Sequence, residues 1–581
     1  MRKIALAALL SLAAVSVGAQ TFTEAITFSE NNYYGTARSI ALGNAMTALG
    51  GDLGSIGINP AGSAVAPYSQ FTISPGLVLM GTKAGYSIGT NVPDADYSNW
   101  NATDRTKMVL PNVAISMVFD TYNTTGLKSF TFSWLSSTTN QYLNDFSSGG
   151  VNSVSSLLGS FAAGASPYHP EDLISRDMYF SADRNGQYIP WNYIMAYRSG
   201  MISELYDQDG NPIVDNLGNH SYTGVTENLY DTADGGQEIK TMGDLDQYSR
   251  VQTFGSKSDI IMNMGMNFSD KFFLGFNLGL PVSTYHYSEY FREAAVDPDD
   301  FAVEYVDGEK TNFSHATYNY SQTTDISGVY GKVGFIWLPV EGLRLGAAVQ
   351  TPTLYNIVDN WYVDGATSFT DYVYATSESS PLNETSYNLK TPWRFNVGAA
   401  YTFAGRGLVS ADLDMVDYKS MRFSSPDYSG YSYSVDNDVN RYFGALQLYG
   451  RFGAEFKPIP EISIRAGYTF KTSGECYHFD KYGDKYTRAD FLYYYDEFNS
   501  GRNSFTGSRE AFPDIVSTYS LGFGYSSEGS FFADVAFRLT KYPAEYYNPY
   551  SDYFTGGTDY LPEVASTRNL TDMVLTLGWR F

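Results

Sequence analysis

The chain has 581 residues, of which 16% are aromatic and 17% charged, and its formal net charge at pH 7 is −25. A surface this acidic repels the phosphates of nucleic acids, so we expect no nucleic-acid partner. The single cysteine, Cys476, excludes an internal disulfide framework, and five scattered histidines leave little for a metal cluster. The length admits either several soluble β-domains or one large barrel.

Residues 1–19 have the pattern of a secretory signal peptide. Arg2 and Lys3 precede an apolar run, and Val17-Gly18-Ala19 offers a cleavage site of small residues. We therefore expect cleavage near Ala19 and a mature chain that begins at Gln20. No cysteine follows that site directly, which disfavours a lipid anchor. No later run approaches the roughly 20 apolar residues that a membrane-spanning helix requires.

Residues 20–66 differ from the rest of the chain because they do not alternate between apolar and polar positions. A weak helical stripe is formed by Ile40, Leu42, Ala45, Met46 and Leu49. Gly50-Gly51 ends this stripe, and Asn59-Pro60-Ala61-Gly62 closes the segment as a turn. The lumen of a closed barrel would accommodate such a compact segment. The alternative is a helix and a turn on a soluble domain.

Alternating strands dominate the chain after Pro67. In the last eleven residues, Met573, Leu575 and Leu577 share one face. The predicted strands are Phe71–Met80, Val113–Phe119, Lys128–Leu135, Ile260–Phe268, Phe272–Leu280, Val329–Leu338, Leu343–Gln350, Arg394–Phe403, Leu408–Val416, Leu446–Phe456, Ile462–Phe470, Ile515–Tyr525, Phe531–Leu539 and Thr571–Phe581. One further strand is expected somewhere within 187–197. Most have roughly the 9–11 residues with which a tilted strand crosses a bilayer.

Short turns alternate with long polar connections, which is the asymmetry of outer-membrane barrels. The longest connection, 136–255, is expected to form hairpins and helices over the barrel mouth. We therefore predict an all-β fold: a transmembrane antiparallel β-barrel of about 14 strands over residues 67–581, with a small N-terminal hatch, residues 20–66, in its lumen and long extracellular loops. A string of β-sandwich domains would show similar alternation. Two observations disfavour the β-sandwich alternative: no linker separates any domains, and the apolar faces are unusually aromatic.

Motifs for enzymatic chemistry are scarce. The sequence has no phosphate-binding P-loop, no His-Glu-x-x-His and no Gly-x-Ser-x-Gly elbow, so we expect no enzyme and no cofactor. A barrel hydrolase stays open as an alternative, because each histidine could meet a serine and an acid in space. The histidines are His169, His220, His286, His315 and His478.

Two short sequence patterns resemble metal sites only weakly, and a structural role without a metal is favoured for both. Asp207, Asp209 and Asn211 resemble the start of a calcium loop, but Pro212 stands where that loop needs glycine, which favours a plain turn. Cys476 with His478 is an isolated pair, too small for a metal site on its own.

Charged residues on the polar face of the predicted strands are the best candidates for a role inside the lumen. They are Arg344, Arg394, Asp412, Asp414, Arg451, Glu455, Arg465, Asp534, Arg538 and Arg580. Buried lumen charges usually pair, so a structural role is the first interpretation. Pairs four residues apart on one strand lie about 13 Å from each other, so their partners must come from neighbouring strands or from the hatch. The functional interpretation is that some of them hold the hatch or meet a ligand carboxylate.

The hatch segment also carries a family resemblance. Ala37, Arg38, Ala41, Gly43 and Ala45, followed by Asn59-Pro60-Ala61-Gly62, resemble the hatch of the FadL/TodX (OmpP1) family of outer-membrane transport proteins for hydrophobic compounds. The resemblance covers the hatch and the barrel pattern but not the long loops. It implies that Arg38, Gly43, Asn59, Pro60, Ala61 and Gly62 form the hatch motif. The family's pocket residues follow no motif, so none is assigned in this chain.

The resemblance further implies a function. A protein of this family would capture a hydrophobic or amphipathic molecule, fatty acid-like or aromatic, among its extracellular loops, hold it in a lumen pocket and open a lateral route by hatch movement. The alternatives are a general diffusion porin and a barrel for adhesion or surface architecture. The expected partners are the ligand, outer-membrane lipid and lipopolysaccharide, and the outer-membrane assembly machinery that reads a terminal Phe581. We expect a monomer in the bacterial outer membrane.

Overall fold

The computed structural model describes residues 22–88, 97–174, 189–207, 210–214, 218–231, 237–304, 308–371, 376–403, 405–426, 432–479, 485–486, 491, 509–550 and 561–581. Within these ranges no helix has the length and apolar character to cross a membrane. The expected signal peptide, 1–19, and Asp209 lie outside the described residues.

Fourteen antiparallel strands form a closed barrel. They are β1 Gln70–Ile88, β2 Ser98–Asp120, β3 Leu127–Gln141, β4 Leu245–Phe268, β5 Phe272–Ala295, β6 Lys310–Val340, β7 Leu343–Gln350, β8 Arg394–Phe403, β9 Gly407–Asp417, β10 Leu446–Ile459, β11 Ile462–Thr472, β12 Ile515–Ser526, β13 Phe531–Lys541 and β14 Pro562–Arg580. Each strand pairs with the next, and β14 returns to β1 with Phe71 opposite Trp579. The predicted barrel of about 14 strands with its N-terminal hatch is confirmed.

The outer face of the barrel carries an apolar band. In β12, Tyr519, Leu521 and Phe523 point outward and are half exposed, whereas Thr518 and Ser520, at the alternate positions, are buried on the lumen side. Because β14 pairs with β1 the sheet closes on itself, and the outward apolar residues suit lipid, so the wall is built to cross a bilayer as outer-membrane barrels do.

The barrel wall is much taller on one side. Strands β8 to β13 have 10 to 14 residues, whereas β4 and β5 have 24 and β6 has 31. The upper part of β7 is a separate strand, Leu354–Phe369, and that of β8 is Asn383–Lys390. The tall strands therefore extend well beyond the segments predicted to cross the bilayer. Their upper halves alternate tyrosine and hydroxyl residues, which carry little hydropathy contrast.

The connection predicted for 136–255 begins and ends inside β3 and β4. Between them lie the strand Asn144–Asn152, the helices Leu157–Ala165, Pro170–Ile174 and Trp191–Arg198, and the strand pairs Ile202–Glu204 with Tyr222–Gly224 and Glu227–Asp231 with Gln237–Thr241. The strand Asn144–Asn152 pairs with the upper part of β4 and belongs to the wall. The elements from Leu157 to Thr241 form a dome that packs on Phe291 and Trp361 of the tall wall. The strand expected within 187–197 is wrong, because Trp191, Ile194 and Met195 are buried at helical spacing on Trp191–Arg198.

The hatch lies inside the barrel and has little regular structure. It contains the helices α1 Phe22–Ser29 and α2 Ala37–Ala41, and the 3-10 turns Leu53–Ser55 and Pro60–Val65. Side-chain oxygens of Thr36, Asp52 and Asn59 each accept one backbone N–H of the first turn, in α2 and in the two 3-10 turns respectively. The predicted helical stripe as far as Leu49 is wrong. The helix ends at Ala41, because Gly43 turns the chain with φ +60°.

Candidate functional site: the plugged lumen

The barrel wall contacts the hatch through glycines whose missing side chains make room for hatch atoms, in several cases atoms of its backbone. A methyl group added to Gly467 would lie 2.2 Å from the Gly43 nitrogen, and one added to Gly275 would lie 2.2 Å from the Pro60 carbonyl carbon. We call these wall residues the glycine belt: Gly265, Gly275, Gly334, Gly346, Gly453, Gly467 and Gly522. Each of their added methyl groups would come within 2.5 Å of a hatch atom. The hatch therefore packs directly against the backbone of the wall strands at these glycines.

The space left between hatch and wall is small. One cavity beside Ser29 and Asn31 has a volume of about 10 Å³, and another beside Asn32 and Asn44 has about 20 Å³. Each has room for about one water molecule. The lumen at this level is therefore plugged rather than a water-filled pore of the kind found in porins.

The residues of the predicted hatch motif tie the hatch together and to the wall. Arg38 Nε lies 3.2 Å from Glu455 Oε2 of β10. Asn59 Nδ2 donates to Thr47 O at 2.6 Å and to Phe335 O of β6 at 3.0 Å, while Asn59 Oδ1 accepts from the Ala61 N–H.

The Asn-Pro-Ala-Gly turn forms the second half of that motif. The Pro60 carbonyl accepts from Asn263 of β4 at 2.9 Å. The Gly62 N–H donates to Asn59 O, and the Gly62 carbonyl accepts from Gly51. A side chain at Gly62 would lie 2.4 Å from Ser55 Oγ, so the fold of the hatch requires glycine there.

Wall cations bind carbonyl oxygens of the hatch backbone. Arg344 donates to Leu49 O at 2.7 Å, Arg394 to Ser29 O at 3.3 Å and Arg538 to Tyr33 O at 3.2 Å. Lys257 donates to Phe28 O at 2.8 Å and Lys332 to Gly57 O at 2.9 Å. The sequence analysis missed both lysines. Lys332 lies on the inward parity of its predicted strand and parity would have found it, whereas Lys257 precedes the predicted strand start.

The other lumen charges mostly pair along the wall. Arg394 pairs with Asp414 at 3.0 Å, Arg465 with both Glu455 and Asp534, and Arg538 with Asp572 at 2.7 Å. Arg451 is completely buried, lies 3.8 Å from Asp412 and stacks over the Tyr33 ring. Asp412 itself accepts the Thr47 N–H at 2.8 Å. Arg580 is different, because it donates to Ser526 and stacks on Phe532 away from the hatch.

A second ion pair, besides Arg38 with Glu455, joins the hatch to the wall. Glu30, which follows α1, receives hydrogen bonds from Lys471 at 2.7 Å and Gln447 at 2.9 Å. Burial by itself would raise the pKa of the Glu30 carboxyl, but the adjacent Lys471 ammonium holds that pKa below its ordinary value. The pair therefore stays charged at neutral pH and holds the end of α1.

An aromatic chamber lies above the glycine belt and is filled by α1. Phe28 contacts the rings of Tyr142 and Tyr285 edge-on, with centroids 6.3 and 5.5 Å away. The chamber wall is formed by Tyr142, Tyr285, Ile326, Tyr355, Ile357, Tyr387, Leu389, Val416, Tyr418, Met421, Phe423, Tyr433, Val439, Phe443 and Phe491. Its apolar lining is the chemistry expected of a pocket for a hydrophobic ligand.

Strands β2 and β3 separate above Asn112. Their ladder runs from Asp120–Ser129 up to Asn112–Ser137 and stops, although β2 continues paired to β1 as far as Ser98. The freed edge of β3 bonds to the hatch, since the Asn32 and Tyr34 N–H groups donate to Thr139 O at 2.7 Å and Thr138 O at 2.8 Å. We call this opening the β2–β3 gap.

Side chains bridge the upper part of the gap. Arg105 of β2 lies 2.6 Å from Asp145, which follows β3, and Arg250 of β4 binds the same carboxylate. On the outer surface of β2, Met108 is 82% exposed and Leu110 is 53% exposed. The gap is thus framed by apolar residues outside and by the hatch inside.

The alternative metal and enzyme patterns lie apart from the hatch. No group of three or more His, Cys, Asp or Glu side chains with metal-binding spacing occurs in the described ranges. Asp207 binds Asn211 within a turn, and Cys476 and His478 both contact the Tyr442 carbonyl. His220 pairs with Glu204 in the dome and faces His169.

The chain matches no protein-family model, and no curated protein matches it. Among solved structures it is similar to the toluene transporter TodX of P. putida, with 10% identity, a TM-score of 0.43, and 95% of this chain and 99% of that chain covered. It is also similar to a FadL homologue of Pseudomonas aeruginosa (11% identity, TM-score 0.46, 95% and 98% covered). A third similar structure is the CymD monoaromatic hydrocarbon channel (10% identity, TM-score 0.42, 95% and 99% covered).

Proposed function

We propose that the protein is an outer-membrane channel for hydrophobic or amphipathic small molecules, such as long-chain fatty acids or aromatic compounds. The ligand enters from the dome side, occupies the aromatic chamber in place of α1, and leaves sideways through the β2–β3 gap. The hatch stays in the lumen and moves only enough to free the edge of β3. The names of the similar solved structures agree with this class of cargo.

The proposal rests on one observation: above Asn112, β3 no longer pairs with β2 and instead accepts backbone hydrogen bonds from the hatch. Two backbone hydrogen bonds from Asn32 and Tyr34 close the gap from inside, so a small displacement of the hatch opens the wall. Regular ladder elsewhere in a barrel offers no such site, because parting two strands breaks a continuous row of hydrogen bonds.

The plugged lumen supports a lateral rather than an axial route. An apolar solute gains about 25 cal/mol for each Å² it removes from water. Passing among the charged side chains around the hatch would forfeit that gain, whereas the proposed route runs from the aromatic chamber through the gap to the exposed apolar residues Met108 and Leu110. We infer that the hatch motif and the wall cations serve to hold this plug in place.

Tethering the gap tests the proposal. Lys107 of β2 reaches Gln141 of β3 across the gap at 3.5 Å. A Lys107→Cys/Gln141→Cys pair, in a Cys476→Ala background, is joined with a short bis-maleimide. We measure transfer of a fluorescent long-chain fatty acid from water into vesicles whose outer leaflet is lipopolysaccharide. We expect the tether to slow transfer at least fivefold.

A matched tether provides the control. Met117 and Phe132 are opposite each other on the lipid-facing side of the same two strands, within the regular ladder. A Met117→Cys/Phe132→Cys tether should leave transfer unchanged. Equal transfer with and without the gap tether would overturn the lateral route, and a steady small-ion conductance from the intact protein would favour a porin.

Adhesion or surface architecture is the second candidate, and the tall wall favours it. β6 has 31 residues, far more than a bilayer crossing requires, and the dome adds a separate apolar core above it. This role and transport are compatible in one molecule. They separate experimentally, because removal of the dome would abolish adhesion but leave the β2–β3 gap intact.

A further inference from the structure

Three neighbouring strands are interrupted at one level of the wall, far from the β2–β3 gap. Thr351-Pro352-Thr353 separates β7 from its upper strand, and Thr391-Pro392-Trp393 separates β8 from its upper strand. In β9, a 3-10 turn, Tyr418–Ser420, interrupts the ladder before Arg422–Ser424 resumes pairing with Asn388–Lys390. We call this level the Thr-Pro seam.

The seam lacks a regular ladder. The pairing of β7 with β8 stops at Gln350–Arg394 and resumes at Leu354–Lys390. Between these points the Thr391 N–H donates to Thr353 O at 3.0 Å, and the Thr353 N–H donates to Thr391 Oγ1 at 2.8 Å. The prolines have no N–H to contribute. A threonine hydroxyl therefore replaces a backbone carbonyl in the wall.

Cavities lie on both sides of the seam. Outside, a groove of about 570 Å³ is lined by Val349, Trp393, Phe395, Met415, Asp417, Ser420 and Leu446. Inside, the cavity of about 10 Å³ described above touches Thr353, Thr391 and Pro392. The two spaces are lined by consecutive residues, since Trp393 and Val349 line the groove while Pro392 and Gln350 line the inner cavity. The outer volume lies within the range of small-molecule sites.

The chemistry of the groove indicates its occupant. Trp393, Phe395 and Leu446 are about half exposed on the same outward face as Val397, so the groove is continuous with the lipid-facing band. Asp417 and Ser420 lie at its edge. A molecule with an apolar ring or chain and one polar end fits this arrangement, and it would arrive from the bilayer rather than from water.

We propose that the Thr-Pro seam is a second, membrane-facing port: an amphiphile dissolved in the outer leaflet binds in the outer groove and reaches the lumen where β7 and β8 part. The port goes beyond the transport route through the β2–β3 gap and stands independently of it. Its ligand class is a single-chain or single-ring amphiphile, such as a fatty alcohol or a phenol.

Photolabelling tests the groove. The purified barrel in nanodiscs is illuminated with a diazirine-bearing fatty alcohol, and adducts are mapped by mass spectrometry. We expect at least fivefold more adducts at Trp393, Phe395 and Met415 than at other lipid-facing residues. Val349→Trp, which fills the groove, should remove this excess, whereas Val397→Trp on the same face should not. Uniform labelling of the lipid-facing band would overturn the site.

A tether across the seam tests the passage. In the Cys476→Ala background, a joined Thr353→Cys/Thr391→Cys pair should keep the groove adducts but reduce adducts at Gln350 and Tyr355, which line the inner cavity, at least fivefold. A joined Ala347→Cys/Val397→Cys pair in the regular ladder should change neither. Inner adducts that ignore the seam tether but vanish with the β2–β3 tether would overturn the port and leave the transport proposal standing.

Discussion

Glycine at the belt acts through the space it leaves. Gly467 faces backbone atoms of Leu42 and Gly43, which have no flexible side chain to move aside. Gly467→Ala should therefore lower the free energy of unfolding by about 1–3 kcal/mol, as overpacking does, and should raise small-ion conductance by displacing the hatch. Gly331→Ala on β6 is the control, because its added methyl would lie 3.8 Å from the nearest atom. Urea titration in bilayers and single-channel recording measure the two effects, and equal behaviour of both variants would contradict the belt.

A buried ion pair of the lumen stabilises the barrel only while both of its charges are present. Arg538 Nε lies 2.7 Å from Asp572 Oδ2, and both side chains are almost fully buried. Arg538→Met should destabilise the barrel by about 3–5 kcal/mol, because it leaves Asp572 as an uncompensated charge. The double variant Arg538→Met/Asp572→Leu should recover most of that loss. Urea unfolding measures both, and a double variant no better than the single one would mean that contacts of Arg538 with the hatch outweigh the pair.

At this scale the sequence predicted much of the lumen chemistry. The parity of the strands predicted Arg344, Arg394 and Arg538 as inward charges, and each donates to a carbonyl of the hatch. Arg394 and Arg538 also pair with wall carboxylates, Asp414 and Asp572. Parity could assign a glycine to the inward face but could not identify the belt, because an inward glycine looks the same in sequence whether it faces water or the hatch. That distinction exists only once two distant segments are packed.

Among the helices and strands, α1 matters most for the proposed transport, because it fills the aromatic chamber. It occupies the aromatic chamber with Phe22, Ile26 and Phe28. In the proposed transport a ligand displaces α1 from the chamber, so the apparent affinity for that ligand is lowered by the fraction of time that the helix is docked. Phe28→Ala removes a buried aromatic contact and weakens docking. It should therefore tighten binding of the fluorescent fatty acid about tenfold. Thr23→Ser, at an exposed position of α1, is the control for titration by fluorescence, and unchanged affinity in Phe28→Ala would mean that the ligand binds elsewhere.

The strands were predictable where the bilayer imposes alternation and unpredictable above it. Phe272–Leu280 alternates because its two faces meet lipid and lumen. The rest of β5, up to Ala295, is rich in Ser, Tyr and His, which are found on buried and on solvated faces alike, so its two faces do not differ in hydropathy. The seam has a signal in the sequence, a repeated Thr-Pro dipeptide, which by itself indicates only where a strand ends or begins. Thr351-Pro352 and Thr391-Pro392 are the same dipeptide, but their adjacency depends on the register of β7 against β8.

The whole molecule is an asymmetric barrel that combines a closed wall with local breaks, and both proposed routes depend on those breaks. The hatch closes the axis, and the β2–β3 gap and the Thr-Pro seam interrupt the wall on different strands. The sequence could predict the barrel, because alternation and loop lengths repeat along the chain. It could not predict the breaks, because each arises from strands that stop pairing at a shared level.

The height difference around the barrel rim is a property of the whole molecule and can be measured directly. β6, with 31 residues, is about 100 Å long at roughly 3.3 Å per residue. Tilted by about 40° and crossing a hydrocarbon core of about 30 Å, it should rise about 45–50 Å above that core. Strands β10 to β13, with at most 14 residues, should end near the membrane surface.

Atomic force microscopy of the protein in a supported bilayer should therefore show a one-sided protrusion rather than a ring. The dome packs on the tall side, so a variant without residues 153–243 should lose part of the width of the protrusion but keep most of its height, because β5 and β6 pair with each other independently of it. A low, symmetric profile would contradict the tall wall. Retained fatty-acid transfer in the dome deletion, together with lost surface attachment, would assign transport to the barrel and adhesion to the dome.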